Sequence, residues 1–154
     1  MAQIEDKLKA MGIELPTPGK PGGNYLAAVR TGNLVYLAGV GPRQANGELV
    51  IGKLGRDLTV EQGYEAAKWC AVTMLGNLRA EIGDLDKVVR FVKLLGMVNS
   101  DPDFTQPPAV VNGCSDLLVE LYGDRGKHAR SAVGLATLPS GMAVEIEAVI
   151  EVEP

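Results

Sequence analysis

The chain has 154 residues, of which 46% are hydrophobic and 22% are charged, and its net charge is −4. These values are typical of a single globular domain, and the acidic balance opposes nucleic-acid binding, which relies on basic surface. No apolar run approaches the roughly 20 residues of a transmembrane helix, and residues 1–15 lack the apolar stretch of a signal peptide. We therefore expect a cytoplasmic protein that binds neither nucleic acid nor membrane.

The N-terminal residues predict a short helix followed by a linker. Apolar residues recur at helical spacing, and Gly12 is a suitable end for the helix. Prolines and glycines then dominate residues 16–23, a composition typical of a linker. We therefore divide the chain into residues 1–23, the helix with its linker, and residues 24–154, a single domain. The apolar face of the helix consists of Ile4, Leu8 and Met11.

The domain begins with a predicted β-hairpin. Residues 24–30 and 33–40 are rich in β-branched, aromatic and other apolar residues, and Thr31-Gly32 separates them. A short polar or glycine-containing break between two such runs indicates antiparallel strands joined by a tight turn.

Two long helices with a strand between them follow. The first helix begins at Thr59, where a T-x-x-Q capping box lies, and ends at Gly83. The strand spans residues 88–98. The second helix begins near Pro107, because proline is tolerated in a first helical turn, and ends at Gly123. Each helix has one apolar stripe, so both are expected to cover a sheet.

The last segment, residues 128–154, predicts a closing hairpin with its turn at residues 138–141. Arg130 lies at the start of the first strand and Glu145 inside the second. The hairpin would place this cation and this acid on neighbouring strands, either as solvated charges or as a working pair that faces a pocket.

Cysteine and histidine are too few for most metal sites. Cys70 and Cys114 are far apart and belong to the predicted helices, so we expect free thiols in the core. His128 is the single histidine, and no other residues show metal-ligand spacing. We expect His128 to be a strand-edge residue rather than a base, and no serine lies in the G-x-S-x-G motif of a serine hydrolase.

The order of elements predicts an α+β fold, a mixed sheet with the two long helices on one face. In residues 142–152 apolar residues alternate with glutamates, but residues 88–98 are apolar on both sides. A second apolar sheet face indicates an interaction surface, and we expect a closed homo-oligomer whose sheets pack together. The alternative is a monomer in which the N-terminal helix covers that face. In the predicted strand of residues 88–98, one face has Val88, Val92, Leu94 and Val98, and the other face has Val89, Phe91, Leu95 and Met97.

Five segments in order, "NYLAAVRTGNLVYLAG", "FVKLLGMV", "VVNGCSDLL", "HARSAVGLATLP" and "VEIEAVIEV", resemble the reactive-intermediate deaminase family, also called the YjgF family. The resemblance extends from Tyr25 to Val152. It implies a chorismate-mutase-like fold, a homotrimer and small-molecule clefts between subunits. It also implies hydrolysis of 2-imino acids to 2-keto acids and ammonia, without a cofactor.

The resemblance also implies roles for individual residues. Arg130 matches the arginine that binds the substrate carboxylate, and the planar guanidinium suits that task. Glu145 matches the acid beside the attacking water, which a carboxylate can activate or orient. The remaining substrate-binding positions are Tyr25, Gly39, Asn112 and Val133.

Ala38 and Val133 depart from the family pattern, which keeps a second function open. The same trimer could bind a small carboxylate without converting it. An endoribonuclease is a third function, which the acidic charge opposes. A chorismate-mutase-type rearrangement is a fourth, supported by fold alone.

Overall fold

Helices and strands occur in the predicted order. The computed structural model describes residues 2–154, and these form one mixed sheet with two long helices on one face, which confirms the predicted α+β class. The elements are α1 (Gln3–Ala10), β1 (Ala28–Thr31), β2 (Leu34–Val40), α2 (Val60–Ile82), β3 (Val88–Asn99), α3 (Pro107–Tyr122), β4 (Ala129–Leu135) and β5 (Val144–Val152).

The predicted closing hairpin is wrong. The sheet order is β1-β2-β5-β3-β4, so β3 lies between β4 and β5. β4 pairs with β3 in parallel, and β5 pairs antiparallel with both β2 and β3. A helix that connects two strands favours parallel pairing, and α3 connects β3 to β4 in this way. The strongly apolar β5 then takes a central position, whereas the less buried β4 lies at the edge.

The first strand is shorter than predicted, because it begins at Ala28 rather than at residue 24. The chain bends over residues 22–25, where the Gly22 N–H donates to the Tyr25 hydroxyl at 3.3 Å. Tyr25 therefore lies outside the sheet, with 56% of its surface exposed. The hairpin of β1 and β2 itself is confirmed.

The predicted faces of β3 are wrong at two residues. Phe91 lies on the helix-covered face and is 1% exposed, whereas Val92 lies on the open face and is 37% exposed. The pairing of β3 with β5 shifts between Val88 and Arg90 and again between Phe91 and Lys93. Each irregularity adds a residue to the alternation, so the side-chain pattern changes face.

Both long helices begin and end as predicted. The Thr59 hydroxyl accepts a hydrogen bond from the Gln62 N–H, and the Gln62 side chain accepts one from the Thr59 N–H. This capping box satisfies two backbone donors that the first turn of α2 leaves free. α2 ends at Gly83, and α3 ends at Gly123. Their apolar stripes pack on β3 and β5 to form the core.

The N-terminal helix lies on the helix side of the sheet. The Lys7 ammonium donates to the Leu121 carbonyl of α3, and the Gln3 and Ile4 N–H groups donate to the Asp86 carboxylate. Ile4 and Leu8 are buried in the core. α1 therefore does not cover the opposite face, and the alternative that gave it this role is wrong.

The opposite, open face of the sheet has exposed apolar side chains, as predicted for an interaction surface. We call this surface the open face. The homotrimer and the division of the chain at residue 23 stay predictions. The large exposed apolar residues of the open face are Val29, Tyr36, Val89, Val92 and Val133.

Candidate functional site

Arg130 lies on the edge strand β4 and points toward α3. Its Nη1 donates to the Ser115 hydroxyl at 3.0 Å, and its Nη2 donates to the Pro108 carbonyl at 3.3 Å. A guanidinium has five N–H donors, so three remain free for a ligand after these two bonds (5 − 2 = 3). The half-buried side chain is thus held in place while it keeps the donors that a carboxylate needs.

Three polar side chains lie around this arginine. Asn112 and Ser115 lie three residues apart on one face of α3, and His128 precedes β4. With Arg130 they line a cavity of about 220 Å³, which we call the Arg130 cleft. The structure thus brings the two predicted residues Asn112 and Arg130 together. The sequence interpretation missed Ser115, although its helical spacing from Asn112 predicts a shared face.

Glu145 lies on β5 and points to the open face, because its neighbours Val144 and Ile146 are fully buried beneath the helices. Its carboxylate lies against Gly39 of β2. A Cβ at Gly39 would overlap the carboxylate oxygen and would stand 3.0 Å from the carboxyl carbon. Burial, followed by the charge of Glu147, raises the pKa of Glu145 above its usual range. Glu145 is therefore a stronger base than a solvated glutamate.

A second cavity, of about 290 Å³, lies beside Gly39, and we call it the Gly39 cleft. Tyr25, Ala38, Arg43 and Thr73 are among its lining residues. The Thr73 hydroxyl is buried and has no hydrogen-bond partner among the described residues. The predicted positions Tyr25 and Gly39 are thus together, with Glu145 next to Gly39.

Val133 lies on the open face of β4 and is 42% exposed. Met97 of β3 pairs with Val133 on one side and with Glu145 on the other, so the three residues form one row across the sheet. Val133 therefore faces the same side of the sheet as Glu145. Arg130, three residues earlier in β4, faces α3.

Within one chain Arg130 and Glu145 do not meet. Arg130 pairs with Leu94 and Glu145 with Met97, three residues further along β3. With ~3.3 Å per residue and ~4.8 Å between strands, their Cα atoms are about 14 Å apart. The two side chains also point to opposite faces. The expectation of neighbouring strands is therefore wrong, because β3 separates them.

Cys70 and Cys114 are fully buried in the core, where burial raises the pKa of both thiols. In the part of the chain from residue 2 onward, no three acidic, cysteine or histidine side chains are grouped as metal ligands would be. Over the same residues, none of the helices combines the length and the hydropathy needed to cross a bilayer.

Known proteins resemble this chain over most of its length. The family model described as "YjgF/chorismate_mutase-like, putative endoribonuclease" matches residues 5–146. Protein TCP17 of Trypanosoma cruzi is 42% identical over 150 residues, which cover 97% of this chain and 94% of that protein. The 2-iminobutanoate/2-iminopropanoate deaminase of Dermatophagoides farinae is 32% identical over 142 residues, covering 92% of this chain and 95% of that protein.

A solved structure agrees with this relationship. Atu1372 of Agrobacterium tumefaciens, a protein of unknown function, has 40% sequence identity and a TM-score of 0.90, with 99% of this chain and 93% of that chain covered. The mixed sheet with its helices on one face is therefore the chorismate-mutase-like fold that the sequence predicted. This chain belongs to the YjgF/chorismate-mutase-like family.

Proposed function

We propose that this protein is a homotrimeric, cytoplasmic deaminase that hydrolyses 2-imino acids to 2-keto acids and ammonia. One observation supports a site between copies of the chain. Arg130 and Glu145 face opposite sides of one sheet, so a single copy cannot apply both to one small substrate. A ring of copies can place the Arg130 cleft of one against Glu145 on the open face of the next.

Arg130 binds the substrate carboxylate in this proposal. Its free N–H donors form two parallel hydrogen bonds to the carboxylate oxygens, which fixes the orientation of the substrate. Asn112, on the same cleft, donates from its side-chain amide to the substrate. Such positioning of the reacting atoms contributes much of the rate enhancement when a water must attack a small molecule.

Glu145 activates the water. Its raised pKa favours acceptance of a proton from the water as the oxygen attacks the imine carbon. Glu145 returns that proton to nitrogen, which gives the carbinolamine. Glu145 then takes the proton of the carbinolamine hydroxyl and passes it to the amino nitrogen as the C–N bond breaks, so ammonia leaves and the 2-keto acid is left. Gly39 permits the approach because it has no Cβ, and Tyr25 and Val133 complete the pocket through the hydroxyl and the backbone carbonyl, respectively.

Imine hydrolysis can be measured directly. An amino-acid oxidase generates 2-imino acids from several amino acids, and 2-keto acid release then competes with a chemical trap for the imine. We expect the wild-type protein to accelerate release and Arg130→Ala to lose the acceleration while its thermal unfolding is unchanged. Arg130→Lys is the matched control, because it keeps the charge but not the bidentate geometry, and we expect it to recover little activity.

A second candidate function is the binding of a small carboxylate without turnover. Ala38 favours it, because this alanine lines the Gly39 cleft at a position where the family pattern has a hydroxyl. Calorimetric titration with 2-keto acids separates the two functions. Binding that Arg130→Ala abolishes, together with no imine hydrolysis, would replace the deaminase by this carboxylate-binding protein.

A further inference from the structure

Three side chains in the Arg130 cleft form one hydrogen-bonded chain. The His128 Nδ1 lies 2.7 Å from the Gly126 carbonyl oxygen, and its Nε2 lies 2.9 Å from the Ser115 hydroxyl. Arg130 Nη1 donates to the same hydroxyl at 3.0 Å. The imidazole is therefore bonded at both nitrogens, and the hydroxyl is bonded on two sides.

The direction of every bond in this chain follows from the atoms involved. A carbonyl oxygen only accepts, so His128 has its proton on Nδ1 and Nε2 is free to accept. A guanidinium only donates, so the Ser115 oxygen accepts from Arg130 and its own proton points to Nε2. Burial and the charge of Arg130 lower the pKa of His128, which keeps the imidazole neutral at physiological pH.

This arrangement is the geometry of an activated nucleophile. A hydroxyl lies within hydrogen-bond distance of a neutral base, and a third group orients the base. Serine–histidine sites are recognised by this geometry and not by a position in the sequence. Ser115 also lines the Arg130 cleft, together with Asn112 and Lys127. The positive charge of Arg130 beside the oxygen favours the loss of its proton.

We propose that Ser115 and His128 form a nucleophile–base pair for acyl transfer. The pair acts on short esters whose acyl part bears a free carboxylate. This activity goes beyond the deamination proposed above and does not depend on Glu145. Arg130 would bind the free carboxylate of the ester, and the Asn112 amide would donate to the oxyanion. Both groups line the same cavity as the Ser115 hydroxyl.

The reaction proceeds in two balanced steps. The Ser115 oxygen forms a bond to the acyl carbon while its proton passes to His128 Nε2, and the ester C–O bond breaks as the alcohol takes that proton. A water then attacks the acyl-serine, with Nε2 again accepting the proton. The bond between the acyl carbon and the Ser115 oxygen breaks, the dicarboxylic acid is released, and Ser115 recovers its proton from His128.

The test uses the 4-nitrophenyl monoester of succinic acid, with 4-nitrophenyl acetate as the neutral comparison. We expect a burst of nitrophenolate equal to the number of chains, and a succinyl group on Ser115 in peptide mass spectra. The succinate ester should react about tenfold to hundredfold faster than the acetate, the ratio expected for a charge-assisted hydrogen-bonded anchor. Ser115→Ala should abolish the adduct, and His128→Gln should slow its formation about 10²-fold or more.

Two controls address other acylation sites and folding. Lys127→Gln removes the one lysine that lines the cavity, and Ser131→Ala removes an exposed serine of β4 next to Arg130. Both variants should keep the Ser115 adduct. Thermal unfolding of Ser115→Ala and His128→Gln shows whether they fold. An adduct confined to lysines, equal reaction of the two esters, or an unchanged rate in folded His128→Gln would each overturn the proposal, as would the absence of any adduct.

Discussion

At the scale of single residues, the contact between Gly39 and the Glu145 carboxylate is the tightest constraint on the proposed site. We expect Gly39→Ala to displace the carboxylate, because the added methyl group would overlap it. The Glu145 side chain is flexible at that end, so the free energy of unfolding should change by no more than about 1 kcal/mol. The rate of imine hydrolysis should fall about 10²-fold, since misplacement by about 1 Å costs this much.

Gly22→Ala is the matched control for this substitution. Its Cβ would meet no atom within 4 Å, and alanine keeps the N–H that donates to Tyr25. The rate of imine hydrolysis in Gly22→Ala should therefore be that of the wild type. If Gly39→Ala were as active as Gly22→Ala, the carboxylate position would not matter for the reaction.

The raised pKa of Glu145 predicts a specific pH profile. A general base must be ionised, so kcat/KM should fall as the pH drops through this pKa, above the ordinary glutamate value of 4.5. Glu147→Gln removes the charge that contributes to the shift, so the acid limb should move to lower pH. An acid limb that moves to higher pH in Glu147→Gln would contradict Glu145 as the titrating base.

The same pKa shift has a consequence for stability. Because folding raises the pKa of Glu145, the folded state favours the protonated carboxyl, and the stability gained at low pH is lost as the pH rises through the folded pKa. Replacing the ionised carboxylate at neutral pH should therefore not destabilise the protein. We expect Glu145→Gln to be inactive yet to unfold at a temperature equal to or above that of the wild type.

At the scale of elements, the close packing of α2 and α3 depends on Gly113. A Cβ at this position would overlap the Tyr64 carbonyl oxygen and would lie 2.8 Å from the carbonyl carbon. A glycine-to-alanine change inside a helix ordinarily stabilises it by about 1 kcal/mol. Here the backbone of α2 cannot yield cheaply, so we expect Gly113→Ala to destabilise the protein by about 1–3 kcal/mol.

Urea unfolding measures this prediction. Glu120→Ala is a suitable control, because Glu120 is exposed on the same helix and its replacement should change the free energy of unfolding by less than about 0.5 kcal/mol. A Gly113→Ala protein more stable than the wild type would contradict the packing of the two helices.

The elements differ in how well their sequences predict them. The Thr59 capping box and the terminal glycines of α2 and α3 specify helix ends, because capping uses residues adjacent in sequence. The faces of β3 could not be predicted, since its two irregularities depend on pairing with β5. For the same reason the sequence predicted a hairpin of β4 and β5: alternation identifies a strand and does not identify its neighbour.

The candidate site was likewise predictable from the sequence only in part. The predicted residues fall into two groups, with Arg130 and Asn112 in one cleft and Tyr25 and Gly39 in the other. Motifs identified these residues, but their separation depends on the strand order. Ser115 was missed, and His128 was expected to be a strand-edge residue rather than a base, because their contact joins a helix to the residue before β4 and matches no short motif.

At the scale of the whole molecule, the open face predicts self-association. Val92 is an exposed apolar residue near the middle of β3. We expect Val92→Glu to give a folded monomer by light scattering and circular dichroism, because a buried unpaired carboxylate opposes packing of two sheets. Ala80→Glu, which adds the same charge on the outside of α2, should leave the oligomer intact. A trimer that survives Val92→Glu would place the interface elsewhere.

The most direct test of the proposed site asks whether Arg130 and Glu145 act from different copies. Co-expression of Arg130→Ala and Glu145→Gln chains with different affinity tags yields oligomers that contain both variants after two purifications. A ring of three that contains both has one boundary at which Arg130 of one copy and Glu145 of the next are both intact, so we predict roughly a third of the wild-type rate of imine hydrolysis. Each variant alone should be inactive. Mixed trimers as inactive as the separate variants would contradict the account, because both residues would then have to work within one copy.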